Sequence, residues 1–161
     1  MKIVTIGVYG FTADTFFEAL QAAGVDVFYD IRWRRGVRGR DYAFANHKRL
    51  VSRLESLGIR YVYDRGLAPT PEIRQRQKDA DKEEKVAKRK RNVLSTAFKT
   101  AYKREILDGF NPGEFLDSLP EGTKTVALCC VERHPEACHR HMVADLLHRH
   151  LEVEIEHLLP E

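Results

Sequence analysis

The chain has 161 residues, 43% of them hydrophobic, which is the size of one domain with a core of its own rather than a small scaffold held together by cross-links. Its net charge of +3 hides two unlike parts: residues 32–104 hold 22 of the 27 Lys and Arg but only 8 of the 24 Asp and Glu, so the middle carries +14 and the rest −11. Residues 1–20 lack the basic start, apolar core and small-residue cleavage site of a secretory signal, and no uncharged apolar run is long enough to span a bilayer, so a cytoplasmic protein with no membrane partner is expected.

In chain order, Ile3-Val4-Thr5-Ile6-Gly7 is β-prone and ends at glycine, and Phe16, Phe17, Leu20 and Ala23 then recur at helical spacing up to Gly24. A second strand is predicted over Val25–Ile31, followed by a loop in which Trp33 sits among Arg32, Arg34, Arg35, Arg38 and Arg40. Leu50, Leu54 and Leu57 mark a second helix stopped at Gly58, and Ile59–Tyr63 reads as a third strand. Residues 72–91 carry nine basic and five acidic side chains with little apolar relief, which predicts a solvated helix or a mobile excursion over about 70–92. Leu94, Phe98 and Ala101 restore a helical stripe, and Asn111-Pro112-Gly113 punctuates the chain. Thr125–Cys130 is a fourth strand, Met142, Val143, Leu146 and Leu147 form one face of a last helix, and Val153–His157 alternates like an edge strand. Successive βα units argue for one α/β domain over residues 1–161, with a mostly parallel sheet and right-handed crossovers.

In such a sheet the loops leaving the carboxyl ends of the strands converge on one edge, where ligands bind. That edge collects Gly7 to Phe11, Asp30 and Arg32, Tyr63 and Arg65, and Cys130 to Arg140. Cys138-His139-Arg140 is expected to open the last helix, where unpaired backbone amides favour negative charge. His139 titrates near neutrality in its ordinary state, Glu132 can orient an imidazole or act as a base, and Arg140 can grip a carboxylate or phosphate. Cys130, Glu132, Cys138 and His139 are therefore the candidate catalytic residues. Asp30 and Arg32, two apart at a strand end, join Arg140, Gly7, Trp33, Arg34 and Arg35 as candidates for binding substrate.

Each has a structural alternative. Cys129 reads as core, and Cys130 and Cys138 are either packed thiols or a redox pair brought close by a turn. Three cysteines, all between Cys129 and Cys138, cannot staple distant parts of the chain. His139 shares helical spacing with Val143 and Leu146, as a buried, hydrogen-bonded histidine would, and Arg140 has Glu132 and Asp30 as acidic partners. Trp33 with arginines suits stacking on bases and contact with phosphates, or a solvated basic loop. No metal is expected: no Cys-x-x-Cys pair is present, and adjacent Cys138 and His139 would point about a hundred degrees apart on a helix. No cofactor is expected either, because Gly7-Val8-Tyr9-Gly10 lacks the spacing of a nucleotide-binding fingerprint.

Thr5-Ile6-Gly7, Asp30-x-Arg32, Gly58-Ile59-x-Tyr61, and above all Cys130-x-Glu132 followed by Cys138-His139-Arg140 resemble the Domain of Unknown Function 488 family over nearly the whole chain. The resemblance implies a Rossmann-like three-layer sandwich, with Gly7, Asp30, Arg32, Cys130, Glu132, Cys138, His139 and Arg140 at the family's characteristic positions. Where the family usually has a Leu-Gly-Gly step after its third strand, this chain has Gly66-Leu67-Ala68-Pro69. The family brings no established reaction, so function rests on the residues. They support an enzyme, hydrolytic in the first instance, acting on a nucleic acid or nucleotide-like anion. The alternatives are a nucleic-acid binding module that uses residues 32–40 and 74–91, and a thiol or redox protein built on Cys130 and Cys138.

Overall fold

The computed structural model describes residues 1–84 and 93–161. The basic run at residues 85–91 therefore lies outside the described residues.

Five strands, β1 (Lys2–Gly7), β2 (Val27–Asp30), β3 (Arg60–Tyr63), β4 (Thr125–Cys130) and β5 (Glu154–Leu158), pair in the order β3-β2-β4-β1-β5. Every pairing is parallel. The sheet alternates its side chains between two cores. Val4, Ile6, Phe28, Ala127 and Cys129 pack with helices α1 (Ala13–Ala22) and α2 (His47–Ser56), through Phe16, Phe17, Leu20, Leu50 and Leu54. On the other face Ile3, Val27, Tyr29, Val126 and Leu128 meet α4 (Thr96–Glu105), α5 (Pro112–Ser118) and α6 (Arg140–Leu151), through Phe98, Tyr102, Phe115, Val143 and Leu147. The result is the expected Rossmann-like α/β sandwich. No helix among the described residues is long and apolar enough to cross a membrane.

Helix boundaries follow local chemistry. Thr12 caps α1 through a reciprocal bond set with Thr15, Ser95 caps α4 by accepting from the Phe98 amide, and Asn111 caps α5 with Pro112 in its first turn. The sequence reading treats residues 111–113 as punctuation only; they start a short helix whose buried side chain is Phe115. The charged segment is helical over α3 (Pro71–Glu84), and two residues four apart, Ile73 and Gln77, anchor it. Ile73 joins the core, while Gln77 accepts from the Ser95 amide at 2.8 Å, which ties α3 to the start of α4.

Register sets the site. Gly7 lies opposite Cys130, and Asp30 lies between Cys129 and Tyr63, so the carboxyl ends of β1 to β4 finish nearly level. The chain leaves β2 toward α2 on one face and β4 toward α6 on the other. A crevice at such a reversal is the usual ligand position in an open parallel sheet.

Candidate active site

A cleft of about 940 Å³ opens at this reversal. Its floor includes Cys130 at the end of β4, Val131 and Glu132 just beyond it, and Cys138 and His139 before α6. One wall is the loop after β2, with Arg32, Trp33, Arg34 and Arg38; the other is α3, with Arg74, Gln77, Lys78 and Lys82. Glu132 and Asp81 are its carboxylates, so the lining is strongly cationic. Arg74, Gln77, Lys78 and Lys82 were not among the individual site candidates read from the sequence, which reached them only within the 74–91 contact surface of the nucleic-acid alternative. Their spacing of three, four and eight residues places them on one helical face, but that signal is lost in a segment where most residues are charged.

His139 is buried, and its Nε2 lies 2.8 Å from the Ile31 carbonyl oxygen. A carbonyl only accepts, so Nε2 carries the hydrogen and Nδ1 carries a lone pair. That lone pair faces Cys130 Sγ at 3.5 Å and Cys138 Sγ at 3.6 Å. The ring stands edge-on to Tyr102. Burial lowers the His139 pKa to about 3, helped by the positive charge of Arg140, so the imidazole is neutral throughout the physiological range. The expectation that His139 titrates near neutrality is thereby revised.

Nor do Cys138 and His139 follow one another along a helix, as their expected place at the start of α6 implies. Pro135–Ala137 form a single 3-10 turn, Cys138 is extended at φ −138° and ψ 149°, and α6 begins only at Arg140. The two side chains leave a bend rather than a helix, and they converge instead of diverging. Cys130 Sγ and Cys138 Sγ are in disulfide contact, with Cα atoms 7.1 Å apart. Cys129 points to the opposite core, and burial pushes its thiol up to about 12.

Arg140 is fully buried and donates to the Glu132 carbonyl at 2.6 Å, the Arg133 carbonyl at 3.1 Å and Thr5 Oγ1 at 3.2 Å. Desolvation lowers its pKa to about 10. It clamps the turn that carries Glu132 and does not line the cleft. Gly7 completes this clamp: a Cβ there would fall 1.8 Å from the Glu132 carbonyl oxygen, so only glycine permits the approach.

Asp30 and Arg32 do share a side, as their spacing predicts, and they form a buried fork-to-fork pair. Arg32 Nε donates to Asp30 Oδ1 at 2.8 Å and Nη2 to Oδ2 at 2.9 Å, while Nη1 reaches the Ala45 carbonyl at 2.9 Å. Tyr61 donates to Asp30 Oδ2 at 2.7 Å. Arg32 touches the cleft, whereas Asp30 lies beneath it. Burial opposes the charge on Arg32, and the Asp30 bond more than offsets this, holding its pKa above the ordinary arginine value. Trp33 is half-buried, with the Arg65 guanidinium 3.8 Å from its ring centre; Arg35 instead covers Tyr63 at 4.2 Å and lies outside the cleft lining.

The geometry thus separates the candidates into two groups. Cys130, Glu132, Cys138, His139, Arg32, Trp33 and Arg34 meet in one cleft, while Gly7, Asp30, Arg35 and Arg140 support it from behind or beside. A family model described as domain of unknown function DUF488 matches residues 12–147, which includes both groups except Gly7. The chain belongs to the DUF488 family. No curated protein and no solved structure matches it. The DUF488 assignment agrees with the resemblance carried by Cys130-x-Glu132 and Cys138-His139-Arg140, and the reaction has to be argued from the cleft.

Proposed function

We propose that this DUF488 chain is an enzyme that acts on a nucleotide-like or nucleic-acid anion held in the cleft, with Glu132 as its acid–base group. The observation that carries the reading is that a single cleft joins Arg34, Arg38, Arg74 and Lys78 to Glu132 and the Cys130–Cys138–His139 cluster. The cationic walls supply affinity for phosphate, and Trp33 with Arg65 offers a flat face for a base. Proton transfer falls to Glu132, because the lone-pair nitrogen of His139, Nδ1, is turned onto the Cys130 and Cys138 sulfurs. A carboxylate that lines the same cleft as the buried Cys130–Cys138–His139 cluster is suited to hydrolysis, in which it takes a proton from water and returns it to the leaving group.

Turnover of nucleotide, modified-nucleoside and short oligonucleotide panels tests this reading. Unaltered protein is expected to process at least one class, and Glu132→Gln to lose about 10²- to 10⁴-fold in kcat with little change in binding. Absence of turnover across all panels removes the support for an enzyme.

The Arg65–Trp33 stack also favours a second reading, a nucleic-acid binding module without chemistry. Binding then falls steeply with salt, Arg34→Ala with Arg38→Ala weakens it, and Glu132→Gln does not weaken it.

A further inference from the structure

We infer that Cys130, Cys138 and His139 form a three-ligand site for a divalent transition-metal ion, zinc by ligand type, with the fourth position open to the cleft beside Glu132. Two sulfurs and one imidazole nitrogen lie within 4.8 Å of one another, and all three residues are buried. Both the histidine tautomer and the distances fit. The Nε2 hydrogen bond to Ile31 fixes the lone pair on Nδ1, the same outer contact that orients metal-bound histidines. A tetrahedral ion with bonds of about 2.3 Å to sulfur and 2.0–2.1 Å to nitrogen sets sulfur and nitrogen about 3.6 Å apart. Here Nδ1 stands 3.5 and 3.6 Å from the two sulfurs.

The competing state is a Cys130–Cys138 disulfide, since the two sulfurs are in contact. Their Cα atoms, however, are 7.1 Å apart, beyond the usual disulfide range of about 4.4–6.8 Å. Around an ion the sulfurs would part to about 3.8 Å, which the same bond length and angle require, and this backbone spacing accommodates that change. Two thiolates neutralise the ion, and three protein ligands with an open fourth place are the pattern of catalytic rather than structural zinc. Cys130, Cys138, His139 and Glu132 all line the cleft, so the open place faces the space that also holds the carboxylate.

This inference goes beyond the enzymatic reading, and metal binding is measured without any substrate. Full-length protein, purified under reducing conditions, is assayed for metal content, and metal-free protein is titrated with zinc and with cobalt(II). About one ion per chain is expected, with a cobalt spectrum showing thiolate charge transfer and tetrahedral ligand-field bands. Cys138→Ser and His139→Ala should each weaken zinc binding by more than about 100-fold, beyond the 10- to 100-fold that loss of an outer hydrogen-bond partner costs, while Cys129→Ser retains it. If a variant does not fold, the cobalt spectrum of unaltered protein decides the question. Reduced protein that takes up neither ion, or full zinc binding by folded Cys138→Ser, overturns the proposal. So does an oxidised Cys130–Cys138 pair that persists under reducing conditions.

Discussion

His139 Nε2 is hydrogen-bonded to the Ile31 carbonyl at 2.8 Å, which links the start of α6 to the end of β2 and decides what the other ring nitrogen can do. In a neutral imidazole, one donor nitrogen leaves the other an acceptor. Long-range nitrogen–proton spectra should therefore show His139 in the Nε2-protonated form, without titration between about pH 5 and 8, the window in which an ordinary histidine changes charge. A midpoint near the ordinary histidine value would restore His139 as an acid–base group and displace Glu132 from that role.

Asp30 and Arg32 form the buried pair beneath the cleft, and breaking it leaves an uncompensated charge in the sheet. Asp30→Ala or Arg32→Ala is expected to cost ~3–5 kcal/mol in urea unfolding, because removal of one partner of a buried pair exposes the desolvation of the other. A loss below ~1 kcal/mol would mean that water reaches the pair, in line with the exposed-pair range.

Tyr61 couples that pair to pH. Burial and the neighbouring Asp30 carboxylate raise its phenol pKa above the usual value of 10, so the folded chain keeps this proton under conditions where the unfolded chain loses it. The contribution is fully present below pH 10 and declines as pH rises through 10 toward the folded value. Tyr61→Phe should therefore destabilise by about 1–3 kcal/mol at neutral pH, as expected for a lost bond to a charged acceptor. The gap from unaltered protein should narrow in alkali. A gap that is constant with pH would contradict the assignment.

Gly7 is predicted to tolerate no side chain. Gly7→Ala places a Cβ against the Glu132 carbonyl and within 2.9 Å of Arg140 Nη1, so the clamp on the Glu132 turn has to shift. Thermal unfolding should show a loss of ~1–3 kcal/mol, the usual range for overpacking a tight site. Glu132-dependent turnover should fall with it. Unchanged stability and turnover would mean that Gly7 does not set the position of Glu132.

Arg34 and Arg38 are exposed, and both line the cleft. Replacing both with alanine should leave stability within about 0.5 kcal/mol. Affinity for an oligonucleotide should weaken and its salt slope should flatten, as follows when phosphate contacts are removed. An unaltered slope would move the anion site elsewhere.

The sheet was readable from the sequence because β1, β2 and β4 are short, mostly apolar runs bounded by turn residues, close to the pattern of strands covered on both faces. The edge strand β5 was readable by alternation. The clustering of Asp30, Arg32, Glu132, Cys138 and His139 followed from where strands end. Their division into exposed and buried groups was not legible, because it depends on the Ala45 carbonyl over Arg32 and the Ile31 carbonyl at His139, contacts made by backbone that carries no side-chain signature. The convergence of Cys138 and His139 was missed for a local reason: the 3-10 turn at Pro135–Ala137 delays α6 by two residues, and a change of backbone class at one residue reverses which side chains meet. On α3, the charged background hid the Ile73 and Gln77 anchors and the cationic face that closes the cleft.

On the proposed function, Glu132, held by Arg140 over Gly7, performs chemistry on an anion bound between the arginine loop and α3. The most direct measurement compares binding and turnover of one nucleotide-like substrate by unaltered protein, Glu132→Gln, and the Arg34→Ala, Arg38→Ala double variant. Glu132→Gln is expected to bind normally and to be nearly inactive, whereas the double variant binds weakly and keeps most of its kcat. Equal activity of Glu132→Gln and unaltered protein would contradict it.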